Sequence, residues 1–230
     1  MVDFHSHILP SIDDGSDSVE ESLKMLDMLR EQGVSAVVAT PHFDANSASI
    51  ERFLDNRKQS YASLSGAVDE GCPKVYLGAE VLYYSGIARW ENLESLCIEG
   101  TRVLLLEMPL SRWTTSVVRE VLAISNTKGI TVVLAHIERY LKLQKPGVIE
   151  ELLNNGIYMQ VNASFFVERR TRRKALKMLR NRQIHVLGSD CHGSVVRPPK
   201  IGEAGEAIHK KLGEEPLALL QGCAAELISV

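Results

Sequence analysis

The 230-residue chain predicts an α/β fold, a closed or nearly closed barrel of seven β/α units. Three observations carry that expectation. Short continuous apolar runs alternate with longer amphipathic segments from end to end, the pattern of a parallel sheet covered by helices. No glycine-rich phosphate loop follows the first apolar run, which argues against a doubly wound nucleotide-binding sheet. One strand end after another carries His, Glu or Asp, and a β/α barrel gathers its strand C-termini at a single rim.

Residues 2–5 form the first strand, and a polar loop then carries Asp13-Asp14-Gly15. Ser18 with Glu21 makes a capping box, and Val19, Leu23, Leu26 and Leu29 give a helical apolar stripe closed by Gly33. Ser35–Thr40 is the second strand, ending in Pro41-His42, and a polar helix spans Ser49–Glu70. Val75–Leu77, the third strand, ends in Gly78-Ala79-Glu80. A short helical stretch near Trp90–Leu96 precedes the fourth strand, Val103–Leu106, which ends at Glu107. A helix over Ser116–Lys128 leads into the fifth strand, Thr131–Ala135, ending in His136. The next helix, Pro146–Asn155, stops at Gly156, and Tyr158–Val161 is the sixth strand with Asn162 at its end. A strongly basic helix covers Glu168–Asn181. Ile184–Leu187 is the seventh strand, ending Gly188-Ser189-Asp190-Cys191-His192, and a pair of helices closes the chain.

With 45% hydrophobic and 24% charged residues, the chain can bury a substantial core as one domain over residues 1–230. A net charge of −3 argues against a general nucleic-acid binder, which would be basic. No apolar stretch is long enough to span a bilayer, and no signal-peptide pattern precedes Asp3, so no membrane insertion is expected. The four cysteines, Cys72, Cys97, Cys191 and Cys223, lack paired spacing, which sets the expectation of a reducing, cytoplasmic localisation.

Side chains alternate along a strand, so His5 and His7 point the same way. The other strand ends add His42, Glu80, Glu107, His136, Asp190 and His192, so five of the seven histidines sit at such ends. Taken singly, each has a plain reading as a helix cap or a hydrogen-bonded core residue. Eight nitrogen and oxygen donors at one rim are costly to cluster without cations between them. Histidine and carboxylate donors without thiolates suit manganese, iron or zinc rather than a structural zinc site. Eight donors exceed the needs of one ion, so two or three metals are implied.

Four stretches beyond the histidine pair resemble a known family: DFHSHILPSIDDGS at residues 3–16, GAEVLYY at 78–84, LAHIERY at 134–140 and SDCHGSVVRPP at 189–199. They are similar to the polymerase-and-histidinol-phosphatase (PHP) superfamily, in particular its bacterial manganese-dependent protein-tyrosine phosphatases of capsule and exopolysaccharide regulation. The resemblance spans essentially the whole chain. It implies a distorted (β/α)7 barrel, TIM-barrel-like, around a trinuclear centre of divalent ions, manganese foremost, with iron, zinc or magnesium as alternatives. It implies that His5, His7, Glu80 and Asp190 hold one metal, with Glu80 bridging, and that Glu107 and His136 complete the second. His42 and His192 would hold the third, with Asp14 beside them or its neighbour Asp13 instead. It also implies phosphate-binding roles for Arg139 and Arg197, whose planar forks match phosphate oxygens. The implied partner is the phosphotyrosine tail of a bacterial tyrosine autokinase. The run Glu20-Glu21-Ser22 with Arg30 resembles a stretch that mediates ring-like oligomers in the family, which implies a homo-oligomer; the same run also reads as an ordinary exposed helix face.

Cys191 to Arg197 also matches C-x5-R, the minimal signature of thiolate-dependent tyrosine phosphatases. That loop needs a helix to begin at its arginine, and Pro198 disfavours helical geometry there. Asp190 and His192 are better explained as ligands. The run Arg169-Arg170-Thr171-Arg172-Arg173-Lys174 reads as a solvated helix face or as a dock for an acidic phosphorylated tail. Tyr83 and Tyr84 either line the mouth of the site or pack, and Trp90 and Trp113 read as packing residues. The expected chemistry is metal-assisted hydrolysis of a phosphate monoester, foremost phosphotyrosine on a protein, with His136, Arg139 and Arg197 nearest the reaction. A histidinol-phosphate-type small-molecule phosphatase is the alternative. No general acid is assigned, because a phenol of pKa about 10 is already a fair leaving group.

Overall fold

The computed structural model describes residues 1–229, which form nine short parallel strands and eight helices. The strands are β1 (Val2–Ser6), β2 (Ala36–Ala39), β3 (His42–Phe43), β4 (Lys74–Leu77), β5 (Glu80–Leu82), β6 (Val103–Glu107), β7 (Thr131–Leu134), β8 (Tyr158–Asn162) and β9 (Val186–Gly188). β2 pairs with β4 and β3 with β5, so each successive couple is one barrel strand broken midway. One break is at Thr40-Pro41, where proline withdraws an N–H from the ladder; the other is at Gly78-Ala79. Counted through the breaks, nine segments make seven strands in chain order. The ring closes where Ser6 bridges Cys191, with Asp190 N–H donating to His5 O at 2.8 Å and His7 N–H to Cys191 O at 3.0 Å. This is the expected parallel barrel, distorted by its two split strands.

Helices α1 (Val19–Glu31), α2 (Ile50–Ser65), α3 (Thr115–Lys128), α4 (Val148–Asn154), α5 (Ser164–Val167), α6 (Arg172–Arg180), α7 (Ile201–Leu212) and α8 (Glu214–Leu227) fill the connections and close the chain. Ser18, Ser49 and Thr114 each accept a backbone N–H from the first turn they cap. The capping box at Ser18 is only half formed, because the Glu21 carboxylate accepts Ser194 N–H at 2.6 Å instead. α2 stops at Ser65, short of the expected Glu70. The stretch near Trp90 forms two 3₁₀ turns, Ile87–Arg89 and Leu93–Leu96, and Trp90 packs on Tyr84 with ring centroids 4.9 Å apart. The basic helix is broken as well. The Arg172 guanidinium turns back onto the carbonyls of Phe166 and Val167, satisfying the end of α5, and α6 begins only there.

Alternate strand residues feed two apolar layers. Val37, Leu104, Leu106, Val132, Leu134 and Leu187 pack with helix residues such as Leu26, Leu29, Val121 and Ile208. Phe4, Val38, Leu105, Val133 and Val186 form a second cluster, to which Ala224 of α8 and Ile228 just past its end are added. Each such aliphatic side chain contributes about 1.5–3 kcal/mol by burial. α8 lies against the start of β1, where Gln221 Oε1 accepts Val2 N–H at 2.6 Å. The packed end is therefore the end where strands begin, leaving their C-termini for chemistry. Among the described residues no helix is long and apolar enough to cross a membrane.

Candidate metal centre

β1 reaches the rim through a bulge. Asp3 lies opposite Val37 and Ser6 opposite Ala39, so β1 takes three steps where β2 takes two. The extra residue falls at Phe4-His5, letting Phe4 stay in the apolar cluster while His5 turns toward His7. Their Nε2 atoms are 3.2 Å apart and both rings are fully buried. Simple alternation, expected from sequence, thus gives the right partners by a different route. Gly15 and Gly188 let this approach happen: a Cβ on Gly15 would strike His7, and one on Gly188 would lie 2.5 Å from His5 Cβ and 2.6 Å from Gln160 Nε2.

Glu80 sits at the middle, 1% exposed. Its Oε2 is 3.2 Å from His5 Nε2, 3.4 Å from His7 Nε2 and 3.0 Å from His42 Nδ1, while Oε1 is 2.7 Å from His136 Nε2. Asp190 Oδ1 lies 3.8 Å from His5 Nε2 and 3.6 Å from His7 Nε2. Glu107 Oε1 is 3.5 Å from His136 Nε2. Asp14 Oδ1 lies 3.4 Å from His42 Nε2 and 3.5 Å from His192 Nε2. Three donor groups converge within 4.8 Å: His5, His7 and Asp190; His7, Asp14, His42 and His192; and His42, Glu80 and Glu107, with His136 alongside the last. All nine expected ligand residues therefore meet at one rim. His7 and His42 each face two groups, a sharing that spacing alone does not reveal. Asp13 and Asp14 now separate: Asp13 takes His7 Nδ1 at 2.7 Å and His42 N–H at 3.0 Å, whereas Asp14 faces the two outer imidazoles.

The donor set fits cations on the protein's own hydrogen bonds. Gln160 Oε1 accepts His136 N–H at 2.5 Å, which fixes it as an acceptor, and it faces His5 Nδ1 at 3.3 Å. His7 Nδ1 faces the Asp13 carboxylate. Both Nδ1 atoms thus carry the proton, and two Nε2 lone pairs confront each other beside Glu80 and Asp190. Lone pairs and carboxylates aimed at one point require a positive charge there. A proton can meet the same demand: burial opposes charge on His5, but Glu80 and Asp190 outweigh it and raise its pKa to about 9. Burial likewise pushes Glu80 up, yet His5, His136 and His42 together hold it well below the carboxylate range. Asp190 is brought down to about 2 against its own burial by His5, Arg197, His7 and Arg139.

Arg139 and Arg197 each place a guanidinium nitrogen 2.7 Å from the same oxygen, Asp190 Oδ2. At 36% and 41% exposure their forks stand at the open side of the cluster. His136 and Asp190 are both left-handed, with φ of 32° and 52°, backbone strain located at the site itself.

Several supporting residues escape a reading by residue type. Gln160 positions His5 and His136, and its Nε2 donates to Asn162 Oδ1 at 3.0 Å; Asn162 Nδ2 donates to Asp190 Oδ2 at 2.7 Å. Asp3 Oδ1 accepts Ser189 N–H at 2.7 Å, tying β1 to the loop after β9. Glu138 accepts Asn162 N–H, and burial pushes its pKa up to about 7. Tyr83 hydrogen-bonds Glu120 and Trp113 packs on Tyr140, so both belong to the surrounding structure. Cys191 is 1% exposed, burial drives its thiol pKa upward, and the next helix starts only at Ile201. A buried, protonated thiol with no helix N-terminus on its arginine does not make a phosphate-cradling loop.

Comparison with known proteins identifies the family and agrees with the fold. The family model described as capsular polysaccharide synthesis, CpsB/CapC, matches residues 1–228. The chain is 32% identical over 231 residues to tyrosine-protein phosphatase CpsB of Streptococcus pneumoniae, covering 93% of this chain and 91% of that protein. It is 30% identical over 229 residues to tyrosine-protein phosphatase CpsB of Streptococcus agalactiae serotype III, covering 94% and 92%. A chain from the crystal structures of Bacillus subtilis YwqE and S. pneumoniae CpsB, described as unique metal-dependent tyrosine phosphatases, superposes with a TM-score of 0.83. That match covers 99% of this chain and 94% of the other at 23% identity, so it speaks for the fold. With the family model spanning nearly its whole length and relatives this close, the chain belongs to the CpsB/CapC family of capsular polysaccharide synthesis.

Proposed function

We propose that the protein is a metal-dependent protein-tyrosine phosphatase that acts on the phosphotyrosine tail of a bacterial tyrosine kinase in capsule or exopolysaccharide synthesis. The observation that carries this reading is the meeting of five imidazoles and four carboxylates with two arginine forks at their open edge. His5, His7, Glu80 and Asp190 would hold one divalent ion, Glu80, Glu107 and His136 a second, and His42, Asp14 and His192 a third, manganese being the foremost candidate. Bound ions of this kind supply a water acidified to near-neutral pKa and neutralise charge on the phosphoryl oxygens.

The remaining work falls to the chain itself. Arg139 and Arg197 exchange the Asp190 carboxylate for phosphoryl oxygens and hold them bidentately, stabilising charge as it develops. Asp13 and Gln160 keep the protons of His7 and His5 on Nδ1, so that Nε2 stays a ligand. A polar cavity of about 440 Å³ beside the cluster, lined by Arg139, Asn162, Asp190, Arg197 and Lys200, receives the substrate. Val195 and Val196, 84% and 88% exposed, stand on the loop that carries Arg197 and would meet the flanking peptide. Self-association through α1 would rest foremost on Glu20, since Ser22 is buried, Glu21 is committed to Ser194 and Arg30 already pairs with Asp27 at 2.8 Å. Manganese-loaded protein offered phosphotyrosine peptide and histidinol phosphate side by side should turn over the peptide; preference for histidinol phosphate would overturn the assignment.

A further inference from the structure

At the opposite end of the barrel, Ile184 and His185 lead into β9 between the C-termini of α6 and α7 and the first turns of α8. They enclose a cavity of about 550 Å³, within the range of sites that take small ligands. The floor is aliphatic, made of Leu179, Ile184, Leu212 and Leu220, and Leu219 stands at its edge 56% exposed. The rim is cationic. Arg180, Arg182 and Lys211 are exposed, and none joins an ion pair among the described residues. Against them stands a single rim carboxylate, Glu215.

Arg182 adds an independent sign. It holds a left-handed backbone, φ 56°, just past the end of α6. Glycine adopts that conformation freely and other residues at a cost, so this rim position carries a cation at some expense to the backbone. We infer that this cavity binds a single-chain anionic amphiphile, with its aliphatic tail on the leucine floor and a carboxylate or phosphate head between Arg182 and Lys211. Burial of apolar surface supplies the attraction and the unpaired cations fix the head group's sign.

Cys223 lines the same cavity and Cys72 does not, which makes alkylation a local reporter. Full-length, metal-loaded protein is alkylated with laurate, dodecyl phosphate or dodecanol present below micelle-forming concentrations, and labelling is read peptide by peptide. Laurate, dodecyl phosphate or both should slow labelling of Cys223 several-fold and leave Cys72 unchanged, the pattern identifying the preferred head group. Arg182→Gly combined with Lys211→Ala should raise the half-protecting concentration about three- to tenfold, the range expected for two exposed charge contacts. Leu219→Glu should abolish protection. Arg182→Gly alone relieves backbone strain and should keep full phosphatase turnover, so weakened protection in it cannot come from misfolding. Unchanged Cys223 labelling with both anions overturns the site, and equal protection by dodecanol overturns the anionic head.

Discussion

Asp190 divides its two oxygens between two tasks: Oδ1 faces His5 and His7, while Oδ2 receives Arg139, Arg197 and Asn162. Removing one arginine leaves Oδ2 with two donors, so Arg139→Ala should keep metal content and thermal stability nearly intact. The loss should fall on turnover of phosphotyrosine peptide, by about 2–4 kcal/mol or roughly a hundred- to a thousandfold, with lysine restoring only part. His136→Ala, by contrast, should lower metal occupancy as well as rate, both read by elemental analysis and steady-state kinetics. Cys191→Ser should retain most of the turnover, because the buried thiol touches no reacting group. The convergence of the eight strand-end His, Glu and Asp residues was legible in sequence because one chemistry recurs at strand ends, whereas Asp14, in a loop, came only with the family resemblance. Gln160 and Asn162 were not legible, although their i, i+2 spacing within an apolar strand repeats that of His5 and His7. A neutral amide has no assignable role until its partners are seen. Asp13 and Asp14 likewise separate only through the loop that Gly15 allows to fold against His7.

Among the elements, the β1–β9 seam decides the geometry, since it sets His5 and His7 against Asp190 through the closing hydrogen bonds. A methyl group on Gly188 would push directly on His5, so Gly188→Ala should cost about 1–3 kcal/mol by overpacking. It should also reduce metal stoichiometry, measured by elemental analysis beside thermal denaturation, because the displaced group is the proposed ligand. Strand and helix order was readable from apolar periodicity, since continuous hydrophobic runs have few other uses in a chain of this size. The strand breaks at Pro41 and Gly78-Ala79 were not, because the chain resumes the ladder after a local interruption that sequence reads as a strand end. The split of the basic helix arises from one Arg172 side chain reaching back to two carbonyls, a tertiary contact with no periodic signature.

For the whole molecule, the buried charges predict how stability follows pH. Without metal, the raised pKa of His5 adds stability that is complete below its ordinary value of 6.5 and lost as pH climbs through about 9. Asp3 and Glu138, pushed by burial to about 6 and about 7, act in the same direction at lower pH, withdrawing stability as pH climbs from about 4 through those values. Asp13 and Asp190, held at about 2, withdraw stability only in acid, as pH falls below about 4. Metal-free protein should therefore melt progressively lower from pH 6.5 to 9. Metal-loaded protein should change less over that window, because a bound ion has already displaced the His5 proton. Scanning calorimetry of the two forms checks this. The most direct test of the central claim is phosphotyrosine-peptide turnover by exhaustively demetallated protein, titrated with manganese while bound metal is counted. Activity should be absent without metal and should rise with occupancy of the cluster; full turnover in protein shown to contain no metal would contradict it.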